Sequence, residues 1–149
     1  MKYEEAPDIT EKMRIIVKML EMNHVQFENI SCIRSHGSNS TAIARCHALN
    51  KIMQKALKRK GFYILEFISE KFDRLSDDEK IKIIIHELMH IPKTFGGGFR
   101  HHDFVTNRNV EKLYKEYQSR RDMSLGDFSL WKLTLKIRLL KLRQENAGE

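Results

Sequence analysis

An α+β domain is what this sequence of 149 residues predicts, and three observations predict it. A capped, strongly apolar helix reads from 77 to 91. The run Tyr63-Ile64-Leu65-Glu66-Phe67-Ile68 is rich in β-branched and aromatic residues, as strands are. Around these two lie shorter amphipathic and β-prone stretches, with no fixed repeat and no low-complexity tract. Hydrophobic residues make up 41% of the chain, enough for a core, and two prolines and seven glycines leave little room for long loops. The length suits one ordinary domain.

In order, Pro7-Asp8-Ile9-Thr10 reads as a helix entry, with Asp8 or Thr10 as cap. Ile9, Met13, Ile16, Val17 and Leu20 then recur at helical spacing, so residues 9–22 are predicted as a helix. Residues 30–34 and 41–46 are β-prone and flank the turn cluster Gly37-Ser38-Asn39-Ser40, which predicts a hairpin. Leu49, Ile52, Met53, Ala56 and Leu57 form a weaker helical stripe over 48–59, stopped by Lys58-Arg59-Lys60-Gly61. The strand at 63–68 follows. Ser76 and Glu79 form a capping box for the helix at 77–91, whose stripe is Ile81, Ile84, Ile85 and Leu88, and Pro92 ends it. Residues 93–100, with Gly96-Gly97-Gly98, read as a flexible loop. A further helix is expected from near Asp103, burying Val110, Leu113, Tyr114 and Tyr117. Gly126-Asp127 reads as a break, and 128–143 as a basic amphipathic helix without acidic residues. This divides the chain into a domain at 1–122 and a helical extension at 123–149. Trp131 and the phenylalanines are most simply core.

The formal net charge of +7, from 27 basic and 20 acidic residues, permits a nucleic-acid or acidic partner without demanding one. No segment resembles a signal peptide and none has the roughly 18 apolar residues of a membrane span, so a cytoplasmic protein with no membrane partner is the default expectation. Cys32 and Cys46 are too few for a disulfide framework and read as small buried hydrophobes in strands.

The chemistry concentrates in His86-Glu87-Leu88-Met89-His90. Histidines four apart on a helix share a face, one turn apart, where one zinc ion can meet both at about 2.0–2.1 Å. Glu87, beside the first, is placed to act as general base toward water. The plainer alternative is two satisfied histidines on a helix face. A zinc site with an open position needs a third protein ligand. His102, after the glycine loop, is the first choice, with Asp103 placed to help orient it. His101, Glu111 and Asp103 itself are the other candidates. His24, His36 and His47 lie outside the cluster and read as ordinary surface or core residues. Tyr114 is either a packed tyrosine or a hydrogen-bond donor to an oxyanion, and packing is the simpler reading.

The segment 65–102 resembles the small phage and archaeal metallopeptidases of the zincin superfamily, which are themselves similar to SprT-like proteases. The matching residues are Ile85-His86-Glu87-Leu88-Met89-His90-Ile91-Pro92, the glycine loop and His101-His102-Asp103-Phe104, with Ile64-Leu65-Glu66-Phe67 and Phe72-Asp73-Arg74-Leu75-Ser76 upstream. The resemblance implies a minimal zincin-like fold, in which an N-terminal helix and the motif helix pack on a small mixed sheet, followed by a helix carrying the third ligand. It implies zinc on His86, His90 and a downstream histidine, Glu87 as catalytic base, and an edge strand that holds extended substrate, for which 41–46 is the candidate. Lys93 and Gly96 stand where a metzincin has Gly and His, which excludes that branch. Glu111 is followed by Lys115 where the branch with a glutamate ligand often has Asp. The implied function is zinc-dependent peptide hydrolysis on a protein or peptide substrate. The alternative is a zinc-stabilised binding module. In either case the basic extension is a candidate contact for nucleic acid or, more simply, a partner protein; SprT-like relatives combine DNA attachment with proteolysis. A membrane-surface role for that helix ranks last.

Overall fold

The computed structural model describes residues 1–146. The elements are β1 (Lys2–Glu5), α1 (Pro7–Met19), a 3₁₀ turn (Phe27–Asn29), β2 (Ile30–His36), β3 (Ala44–Ala48), α2 (Lys51–Leu57), β4 (Tyr63–Ile68), α3 (Ser69–Phe72), α4 (Asp77–Met89) and α5 (Asn107–Asn146). The fold is α+β, with a four-stranded mixed sheet ordered β1-β2-β4-β3.

The predicted hairpin does not form. β2 pairs parallel with β4, and β3 pairs antiparallel with the other side of β4. The cause is apolarity: β4 carries Tyr63, Leu65, Phe67 and Ile68, each wholly buried, so it takes the centre. β3 is thereby left at an edge. β1 gave no apolar signal because it is the opposite edge strand, with all four residues exposed and paired antiparallel to β2. Cys32 and Cys46 both sit opposite Leu65, on either side of it. Two strand spacings, roughly 9–10 Å, are too far for a disulfide, and both are free thiols.

One face of the sheet carries Tyr63, Leu65 and Phe67 into a core with α1 (Ile9, Met13, Ile16) and α4 (Ile84, Ile85, Leu88). α1 starts earlier than predicted, with Pro7 in its first turn and no side-chain cap. Asp8 instead makes a two-pronged ion pair with Arg34 of β2, at 2.5 and 2.7 Å. α4 keeps its capping box, Ser76 with Glu79, and ends at Met89 with His90 as C-cap.

The stripe predicted for α2 is not buried. Ile52 is 76% and Leu57 57% exposed, and no residue of the helix is buried. The face toward the protein is the polar one, where Gln54 donates to the carbonyls of Leu49 (2.7 Å) and Gly96 (2.9 Å).

α5 begins at Asn107, not near Asp103, with Thr106 Oγ1 accepting from the Asn109 amide. It runs through Gly126 without a break. One solvent-exposed glycine costs a helix about 1 kcal/mol, too little to end it. Val110, Tyr114 and Tyr117 are its buried residues among those described. Leu125, Leu130, Leu133 and Ile137 are exposed. The side chain of Trp131, expected in the core, lies outside the described residues. Among the described residues no helix is long and apolar enough to cross a membrane.

Candidate metal centre

His86 and His90 project from the last turn and a half of α4. Their ring centroids are 5.1 Å apart and their Nε2 atoms 3.3 Å apart. Two nitrogens each about 2.0–2.1 Å from one tetrahedral zinc would stand roughly 3.3–3.4 Å apart. The spacing is therefore that of two ligands on one ion.

The orientation of His90 is fixed from behind. Its Nδ1–H donates to the Arg100 carbonyl at 2.7 Å. A carbonyl can only accept, so the proton is on Nδ1 and the Nε2 lone pair is free for a metal. The Arg100 amide in turn donates to the His90 carbonyl at 2.8 Å. This reciprocal pair closes the loop between 91 and 99 and delivers the next residues to the motif helix. His102 is brought in with ring centroids 4.9 Å from His90 and 5.7 Å from His86. The three histidines each offer a ring nitrogen, and these atoms lie within 4.8 Å of one another. Burial, and then the neighbouring rings, hold His86 below its ordinary pKa. Burial does the same first for His90. Both effects favour the neutral imidazole that a metal needs.

The glycine loop, expected to be flexible, is tied down. Phe95 is buried. The Tyr63 hydroxyl donates to the Gly98 carbonyl (2.8 Å) and accepts from the Gly97 amide (2.9 Å), and Gln54 holds Gly96. Gly97 has φ of +99°, and a Cβ there would strike Gln54 and the Leu49 carbonyl, so this position requires glycine.

Glu87 points from α4 toward β3. It is 6% exposed, and burial pushes its carboxyl up to about 7. A divalent cation at the triad would draw it back toward the carboxylate. The Cys46 thiol, opposite on β3, is raised to about 12, by burial first and then by the Glu87 charge. A cleft of about 460 Å³ lies over these groups. One wall is β3 from Ala44 to His47; the other is the loop at 99–102.

The other candidates fall elsewhere. His101 lines the cleft, but its ring is not in the histidine group. Asp103 does not orient a histidine; its carboxylate accepts from the Phe104 amide at 2.9 Å. Glu111 pairs with Lys82 at 2.6 Å. Tyr114 is packed beside Lys82, which lies over its ring, and its hydroxyl accepts from Gln118. His36 pairs with Glu4 and His47 with Glu66, each at 2.7 Å. Sequence reasoning missed the backbone of Arg100, the Tyr63 hydroxyl and Gln54. None carried a local signal: Tyr63 shares its strand with the polar Glu66, and nothing in the run 63–68 marks its hydroxyl as an anchor for a loop.

An α+β domain with three imidazoles gathered on a motif helix, a buried carboxyl beside them and a free strand edge across the cleft defines a candidate metal-dependent hydrolase. The chain belongs to the family described as "Putative phage metallopeptidase", whose model matches residues 1–126. That description is of a metal-dependent peptidase, an enzyme whose substrates are proteins or peptides, and the histidine triad is a group able to hold such a metal. No curated protein and no solved structure matches the chain.

Proposed function

We propose that the protein is a zinc peptidase of the His-Glu-x-x-His type, built on the minimal zincin plan, with His86, His90 and His102 as ligands and Glu87 as general base. The observation that carries this reading is the 3.3 Å separation of the two Nε2 atoms, with the third ring nitrogen close by. Three neutral imidazoles leaving one open position suit zinc. Zinc, when bound, supplies Lewis-acid polarisation of a carbonyl and makes a water molecule more acidic.

The chain's own residues do the rest. The Arg100 carbonyl keeps the Nδ1 proton on His90 and so holds its ligand tautomer. The Glu87 carboxylate takes the proton from the attacking water and returns it to the leaving amine, and its partly desolvated site keeps its pKa suited to both transfers. The free edge of β3 pairs with an extended substrate, so that the scissile carbonyl is presented to the centre. The predicted substrate strand, 41–46, is thus shifted to Ala44–Ala48. The two separate thiols suit a reducing, cytoplasmic setting.

Glu87→Gln tests the mechanism. It keeps the shape of the side chain and removes the base, so hydrolysis of an unfolded protein substrate falls by about 10²–10⁴-fold while zinc stays bound. Undiminished cleavage by this variant contradicts the assigned role.

For the extension after residue 122, the exposed leucines favour a protein partner over nucleic acid. Leu125, Leu130, Leu133, Leu135 and Leu139 are all more than 40% exposed, and apolar side chains on a helix find cover in protein more readily than on a phosphate backbone.

A further inference from the structure

α2 sets a physical puzzle. A helix of seven residues has little stability of its own, and those of the protein's core ordinarily hold such a helix by its apolar face. Here the apolar face points outward, with Ile52, Met53 and Leu57 exposed at 76, 46 and 57%. Beside this face stand five cations in ten residues, Lys51, Lys55, Lys58, Arg59 and Lys60. With Gln54 they border a shallow pocket that has no carboxylate in its lining. Arg59 is engaged with Asn29 and lies over the Phe62 ring. The four lysines face solvent.

We propose that α2 is an exosite that binds an acidic stretch of polypeptide carrying apolar side chains, in the substrate segment flanking the bond to be cut. The inference rests on the peptidase reading and deepens it. Two observations select this occupant. The first is charge: the surface complements carboxylates, and its apolar side chains would be wasted on a nucleic acid, whose backbone offers only phosphate and sugar. A membrane surface is a poor match, because three side chains on one helix of two turns bury little area in a lipid interface. The second is continuity. α2 starts three residues after the end of β3, and Gln54 is bonded to Gly96 in the loop that leads to the cleft wall. A chain paired along β3 and prolonged past Ala48 arrives at α2.

Acidic side chains on that chain then meet Lys51, Lys55 and Lys58, while its apolar side chains cover Ile52, Met53 and Leu57. The site adds affinity outside the catalytic cleft, so it acts on KM more than on kcat for substrates long enough to reach it.

The test uses the full chain. A fluorescent peptide alternating Glu and Leu is titrated against wild type, against the charge reversal Lys55→Glu/Lys58→Glu/Lys60→Glu, and against Ile52→Ser/Leu57→Ser. All five side chains are exposed, and circular dichroism checks that the variants remain folded. Binding is expected to weaken by about tenfold or more in the charge reversal and to fall steeply with salt. It should also weaken in the serine variant. A peptide with Gln in place of Glu should bind poorly throughout. Unchanged binding in the charge reversal overturns the proposal. So does an absence of peptide binding alongside α2-dependent binding of duplex DNA or of phosphatidylglycerol vesicles. In kinetics, KM for a substrate flanked by the acidic sequence should rise in the charge reversal, with little change for a short unflanked peptide. If wild type cleaves no peptide at all, the peptidase reading fails, and the titration still decides what α2 binds.

Discussion

His90 is held at two points by one residue, Arg100, and this arrangement determines which of the two adjacent histidines is presented. The spacing of His86, Glu87 and His90 was legible in the sequence because helical periodicity alone brings i and i+4 together. The choice between His102 and His101 is less legible, since the direction of a side chain after a loop depends on how the loop is anchored. Here the anchors are tertiary: the backbone of Arg100, the hydroxyl of Tyr63 and the amide of Gln54. None of them leaves a pattern in local sequence. Gly97 is the tightest point of that anchoring. Gly97→Ala places a Cβ against Gln54 and the Leu49 carbonyl at a φ of +99°, so stability is expected to drop by about 1–3 kcal/mol. Urea unfolding of the variant measures this, and an unchanged midpoint would mean that the loop is less confined than these contacts require.

The elements fall into two groups. Those with both a clear period and a local stop signal, α4 above all, were read with nearly correct limits. Those whose placement depends on competition were not. β2 and β3 had strand character, but their pairing was decided by the apolar β4, which displaced the expected hairpin. α2 had a helical stripe, but periodicity reports which residues share a face and not whether that face is covered. β1 was hidden because an edge strand can be polar throughout. One tie joins three elements: Arg34 of β2 bonds Asp8 of α1 and Asp73, just after α3. The Arg34 hydrogen bonds hold the Asp8 carboxyl at about 2, below its ordinary 3.8. A carboxyl whose folded pKa is depressed contributes stability in full above the ordinary value and loses it as pH falls toward the folded value. The urea midpoint is therefore expected to decline between about pH 4 and pH 2, and Asp8→Asn should flatten part of that decline. An identical pH profile in the variant would show that the tie contributes nothing to acid stability.

Taken whole, the molecule is a small core with a long projection. α5 spans 40 residues, about 60 Å at 1.5 Å per residue. Among the described residues, its buried side chains all fall in the first half. Tyr117 is the last buried residue among those described, and Arg120 bonds the Met19 carbonyl at 2.5 Å. We therefore propose that residues 1–122 form the catalytic unit and 123–149 an accessory helix, a division supported by the family match ending at residue 126. A chain ending at 122 should unfold within about 3 °C of the full protein and retain its metal. A collapse of the unfolding transition would place the extension within the cooperative core.

The reading as a metalloenzyme turns on whether three rings converge on a single ion. The direct measurement is zinc content by mass spectrometry on the purified wild type, on His102→Ala and on His101→Ala, with circular dichroism to confirm folding. One zinc per chain in wild type and in His101→Ala, with loss of tightly held zinc in His102→Ala, is the predicted result. Stoichiometric zinc in His102→Ala, or a folded wild type that takes up none, would contradict it.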